Sequence, residues 1–147
     1  MKIILCIGII IMTTLTAKIL AEKYIYREKF FLELVEFSKE IERNIRLLKE
    51  PINKIKRKDG GYVEKILADI NSVDEISFLS DKEKENVKSF FQSFGKSDSV
   101  LEQKRVECFC ESVNDKLKVV EAEKLKKAPL YIKLGLVVGS FIVIVLV

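Results

Sequence analysis

Residues 134–147 read LGLVVGSFIVIVLV, an apolar run that continues to the last residue. Taken back to Leu130 it supplies 18 residues, of which Lys133 alone is charged. At about 1.5 Å per residue such a helix covers roughly 27 Å, close to the ~30 Å hydrocarbon core of a bilayer. Tyr131 and Lys133 stand at its entry, an aromatic and a cation of the kind that anchors a helix at the membrane interface. A buried core helix does not normally close a chain in this way. The stretch predicts a transmembrane helix over residues 129–147.

The opposite end has the same character. Ile3 to Ala17 carries no charge, and the run reaches Ala21 if Lys18 extends its ammonium to the headgroups. Residues 1–21 are therefore expected to form a second span. A cleaved signal peptide is the competing reading, but cleavage after Ala17 or Ala21 would place Leu15 or Ile19 where a small residue is required. Lys18, Lys23, Arg27 and Lys29 follow the first run. Lys124, Lys126, Lys127 and Lys133 precede or enter the second, and Lys2 alone lies on the far side. Basic flanks stay in the cytoplasm, so residues 22–128 are expected inside and both termini outside.

Gly135 and Gly139 form a G-x-x-x-G pattern in the C-terminal run, and Ser140 extends its small face. Small residues four apart let two membrane helices approach closely. The partner is either the same helix of another copy or the first span, which contains Gly8.

The region 22–128 is charged and helical in period. Phe30, Leu34, Phe37, Ile41, Ile45 and Leu48 recur at spacings of three and four up to Pro51, which removes a backbone donor. Lys54, Lys56, Arg57 and Lys58 then cluster before the Asp59-Gly60-Gly61 turn signal. Tyr62, Val63, Ile66, Leu67 and Ile70 predict one short amphipathic helix. Ser80 with Glu83 matches a capping box, and Val87, Phe90, Phe91 and Phe94 give the buried side of the helix that follows. Gly95 suits a left-handed helix end, and Ser97-Asp98-Ser99 with Glu102 opens the next helix. Val106, Phe109, Val113, Leu117 and Val120 share its inner stripe, which leads toward the C-terminal span. No strand-like alternation persists. The expected fold is all-α: a cytoplasmic antiparallel helical bundle flanked by an N-terminal and a C-terminal transmembrane helix.

Little in the chain carries chemistry. It has no histidine, and therefore no Ser-His or Cys-His pair and no histidine-ligated metal site. Cys108 and Cys110 would point about 200° apart on a helix, which suits small apolar fillers rather than a shared metal. There is no P-loop, CxxC, HExxH or GxSxG. The formal charge of +4 is too mild for a nucleic-acid-binding tail. Neither an enzyme nor a cofactor is expected, and neither nucleic acid nor a small-molecule substrate is an expected partner.

Phe90-Phe91-x-x-Phe94-Gly95-x-Ser97-Asp98, then Gln103, a long charged helix and Tyr131-x-x-Leu134-Gly135-x-x-x-Gly139 resemble the stage III sporulation protein AB family. The N-terminal span, the helix through Glu40-Ile41 and Pro51-Ile52 continue the resemblance. The chain is shorter than the family pattern between Pro51 and Ser80, lacks tryptophan, and has Phe94 where an aliphatic residue is more usual. The family is similar to the platform proteins of type II secretion and type IV pilus machines. The resemblance implies a platform subunit of a channel complex in the mother-cell membrane around the forespore. It also implies docking of a cytoplasmic ATPase, assembly with other membrane subunits, and self-association as a further expectation. The alternatives are a membrane-tethered helical adaptor or regulator of another system, and a secreted helical protein released at its N-terminus.

Overall fold

The structure, a computed structural model, describes residues 2–45, 60–94 and 99–146. Pro51, the basic cluster Lys54 to Lys58, Gly95, Ser97 and Asp98 lie outside the described residues. Four α-helices follow one another: α1 (Lys2–Arg43), α2 (Tyr62–Ala68), α3 (Asp81–Ser93) and α4 (Ser99–Leu146). A 3-10 helix (Ile70–Glu75) separates α2 from α3. The described residues contain no strand, so the chain is all-α as expected.

The contacts divide the chain into two compact units, Lys29–Lys118 and the residues up to Glu28 together with those from Val119 onward. Hydropathy alone put the boundaries after residues 21 and 128. The second of these units extends beyond both apolar runs and includes charged pairs such as Arg27 with Glu123 and Lys124 with Glu28.

In the Lys29–Lys118 unit, the predicted stripe of α1 is inside: Phe30, Leu34, Phe37 and Ile41 are buried. Phe31, Val35 and Ser38 are buried as well, so α1 is covered over more than one narrow stripe. The start of α2 is held by a distant residue. The Glu33 carboxylate on α1 accepts hydrogen bonds from the amides of Tyr62 (3.0 Å) and Val63 (2.9 Å), two donors that have no partner within the helix. Gly61 makes that approach possible, because a Cβ there would overlap the Glu33 carboxylate.

The short amphipathic helix is expected to include Ile70, but α2 ends at Ala68. Asp69 is extended, and its side chain accepts from the Asn71 amide (2.9 Å), starting the 3-10 helix instead. Aspartate competes with helix continuation in this way. Val73 from the 3-10 helix is wholly buried.

The capping box at Ser80 is formed in both directions. Ser80 Oγ accepts from the Glu83 amide (3.4 Å), and the Glu83 carboxylate accepts from the Ser80 amide (3.0 Å). Val87 and Phe90 are buried on α3, while Phe91 and Phe94 are only half-buried. Val106, Cys110, Val113 and Leu117 are buried on α4. The filler reading suits Cys110, whereas Cys108 is exposed. Helices α3 and α4 run antiparallel: Lys116 pairs with Glu83 (3.6 Å), Phe109 stacks on Phe90, and Arg105 donates to the Ser93 carbonyl (3.1 Å).

In the other unit, the N-terminal part of α1 runs antiparallel to the C-terminal part of α4. Helix α4 continues through Pro129, which leaves one carbonyl without its amide donor but does not end the helix. Among the described residues, α4 is the one helix long and apolar enough to cross a membrane, with an 18-residue stretch of mean hydropathy 2.1.

Candidate functional site

The small residues of the helical hairpin lie inside it and the large ones outside. Ala17, Ala21, Ala128 and Gly139 are buried. Met12, Ile19, Phe141 and Ile144 are each about two-thirds exposed or more, at 65%, 66%, 66% and 73%. A hairpin folding in water would place its large side chains at the seam, since burial of each is worth roughly 1.5–3 kcal/mol. Lipid tails supply no such drive, and small residues that allow close backbone approach then take the interface.

Gly135 and Gly139 sit at the centre of this seam. A Cβ on Gly135 would meet Ala17 Cβ and the Thr13 carbonyl oxygen, the latter at 3.0 Å. A Cβ on Gly139 would meet Thr13 Oγ1 and, at 3.3 Å, Ile10 Cα. The surface packed on the G-x-x-x-G face is thus α1 of the same chain. Gly8 has nothing within 4 Å of its Cβ position and takes no part. Ser140 is half-buried, and its hydroxyl donates to the Leu136 carbonyl of its own helix (2.9 Å).

A polar tie follows the seam. Tyr24 stacks on Tyr131 with ring centroids 5.8 Å apart, and the Lys127 ammonium lies 5.6 Å from the Tyr24 ring centre. Arg27 bonds Glu123 (3.0 Å), Lys124 bonds Glu28 (2.6 Å), and Lys127 bonds Glu123 (2.9 Å). The hydrogen bond with Tyr131, then burial, raises the Tyr24 phenol above its usual range. The hydrogen bond to Glu123 raises Lys127.

The bundle carries a separate feature, an open groove of about 510 Å³ beside α3 and α4. Phe31, Leu34, Phe90 and Phe109 contribute apolar surface, and Arg105 and Lys116 contribute charge. Phe90 and Phe109 stack nearly parallel, 4° apart with centroids at 3.6 Å.

The residues singled out by motif therefore separate. Phe90 packs in the bundle. Phe94 caps α3 and lies 5.6 Å from Phe90, ring centre to ring centre. Gln103 is half-buried on α4, Tyr131 is in the hairpin tie, and Leu134 is exposed. Glu33 had no local signal, because the amides it caps lie 29 and 30 residues away. Among the described residues, no three of Cys, Asp and Glu come together as a metal site.

These features define an all-α protein made of a helical bundle and a hairpin seamed by small residues. The family model for stage III sporulation protein AB matches residues 53–147. The chain belongs to that family, and its role is in sporulation. No curated protein and no solved structure matches it.

Proposed function

We propose that this chain is a structural platform subunit of a secretion-like channel complex in the mother-cell membrane around the forespore. It crosses the membrane twice, at residues 1–21 and 129–147, with the central domain cytoplasmic and both termini outside. The domain docks a cytoplasmic ATPase, and the spans assemble with other membrane subunits. The chain performs no reaction of its own.

Family membership carries this reading. The hairpin supports the two spans: its large apolar side chains face outward on both helices, where only lipid or another apolar surface would cover them. The dense basic flanks support a cytoplasmic domain.

Topology is the first test. With Cys6→Ser, exposed Cys108 is the reporter of the domain, and single cysteines added near Lys2 and after Val147 report the ends. A membrane-impermeant thiol reagent is expected to label the ends in intact cells and Cys108 only after permeabilisation. Labelling of Cys108 from outside would end the platform reading, since no cytoplasmic ATPase could reach the domain. The second test is capture of an ATPase with the full chain from sporulating cells. Deletion should abolish spore formation and leave vegetative growth unchanged; normal spores would contradict the assignment.

A further inference from the structure

Residues 18–28 and 123–133 contain seven basic and three acidic side chains, in two segments about a hundred positions apart in the chain. The hairpin brings them to one level. The contact of Ala17 with Gly135 bounds the level on one side, and the Arg27–Glu123 pair bounds it on the other. Lys18 and Lys133 lie beside the first of these. Lys23, Lys126 and Lys127 lie beside Tyr24, over which Lys127 sits. All five lysines are exposed.

The acidic groups at this level are largely committed. Glu123 holds Arg27 and Lys127, and Glu28 holds Lys124. Half-buried Glu22 is the remaining carboxylate. Against it stand Lys18, Lys23, Lys126 and Lys133, which form no ion pair among the described residues. The two tiers of this collar are separated by five to seven helical positions, roughly 8–10 Å at about 1.5 Å per residue. That is the depth of a headgroup layer rather than of a single contact. Tyr24 lies at the second tier and stacks on Tyr131, which falls between Lys126 and Lys133 on α4, and tyrosine favours that same layer.

We propose that Lys18, Lys23, Lys126 and Lys133 form a collar that binds anionic phospholipid headgroups, so that the hairpin selects acidic lipids for its boundary. Charge complementarity selects this occupant. Four ammonium groups with no ion pair among the described residues stand at the end of an apolar seam, where phosphate groups of the bilayer would meet them. The inference rests on membrane insertion of the hairpin, and the test separates the two.

The full chain is reconstituted in phosphatidylcholine bilayers containing trace spin-labelled phosphatidylglycerol or spin-labelled phosphatidylcholine. The motionally restricted fraction is read by electron spin resonance. Phosphatidylglycerol is expected to be preferred by at least about twofold, because one basic residue at an anionic surface is worth roughly fivefold in affinity. The preference should fall to one in the Lys18→Gln, Lys23→Gln, Lys126→Gln, Lys133→Gln variant, and fall with salt. A control with Lys65, Lys82, Lys104 and Lys118 changed to Gln removes the same charge from the bundle and should keep it. A restricted fraction with no preference in the native chain overturns the collar. So does loss of preference in the control variant as large as in the collar variant, or a preference that the collar variant retains. No restricted fraction for either lipid overturns membrane insertion itself.

Discussion

Replacing Gly135 with alanine would set a Cβ 3.0 Å from the Thr13 carbonyl oxygen and closer still to the Ala17 Cβ. Carbon atoms make favourable contact at about 3.5–4.0 Å, so the helices must part by roughly 1 Å or more. Neither obstacle can rotate away, since one is backbone and the other is the single methyl of an alanine. At Gly139 the nearest obstacle is Thr13 Oγ1, the end of a side chain with other rotamers, although it now donates to the Ile9 and Ile10 carbonyls. Overpacking of this kind costs about 1–3 kcal/mol, and Gly135→Ala should lie above Gly139→Ala within that range. The assay is the separation of spin labels at exposed Met12 and Val138 in the full chain, measured by double electron–electron resonance in lipid nanodiscs. Gly135→Leu with Gly139→Leu should lengthen and broaden the distribution by several ångströms. Ala17→Gly should recover part of the change caused by Gly135→Ala, because it removes the methyl that the new Cβ meets. An unchanged distribution in the double leucine variant would refute the seam.

Glu33→Ala should cost about 1–2 kcal/mol, the range of a lost helix cap, and raise amide exchange at Tyr62 and Val63 before other sites. Protection at those two amides left at the native level would contradict the cap. Ser80→Ala should destabilise the bundle by about 1 kcal/mol, read as a lower melting temperature by circular dichroism, with no effect on hairpin distances. The pH dependence of the polar tie follows from its two raised groups, Tyr24 and Lys127. The Tyr131 bond favours neutral phenol and the Glu123 bond favours charged ammonium. Both contributions are full below the ordinary values and are lost as pH rises through the raised ones, so the tie loosens only above about pH 10. Phenolate absorbance should show one tyrosine titrating late, and Tyr131→Phe should lower it toward the ordinary range, leaving the part due to burial.

Much of the architecture was legible from local pattern. The three-and-four spacing of Phe30, Leu34, Phe37 and Ile41 names a helix and its buried face, and the Ser80–Glu83 pair names a helix start. Both depend only on neighbours within a turn or two. The 3-10 helix was missed because Asp69 competes with a helical pattern that extends past it through Ile70. The last helix was expected to lead into the C-terminal span, and α4 does run on through Pro129, because one missing amide is a small loss in a helix packed against a neighbour.

The amino-acid order by itself determined that the chain is helical, apolar at both ends, and small on one face at Gly135 and Gly139. Those properties are periodic and local, so any helix built from these residues has them. The tertiary structure alone decided that this small face meets Thr13 and Ala17 of the same chain, that Glu33 caps a helix 29 residues away, and that lysines from two distant segments share one level. Periodicity states which face of a helix is apolar or small. It carries no information on which other helix arrives there or in what register, and that is set by the antiparallel alignment of α1 with α4.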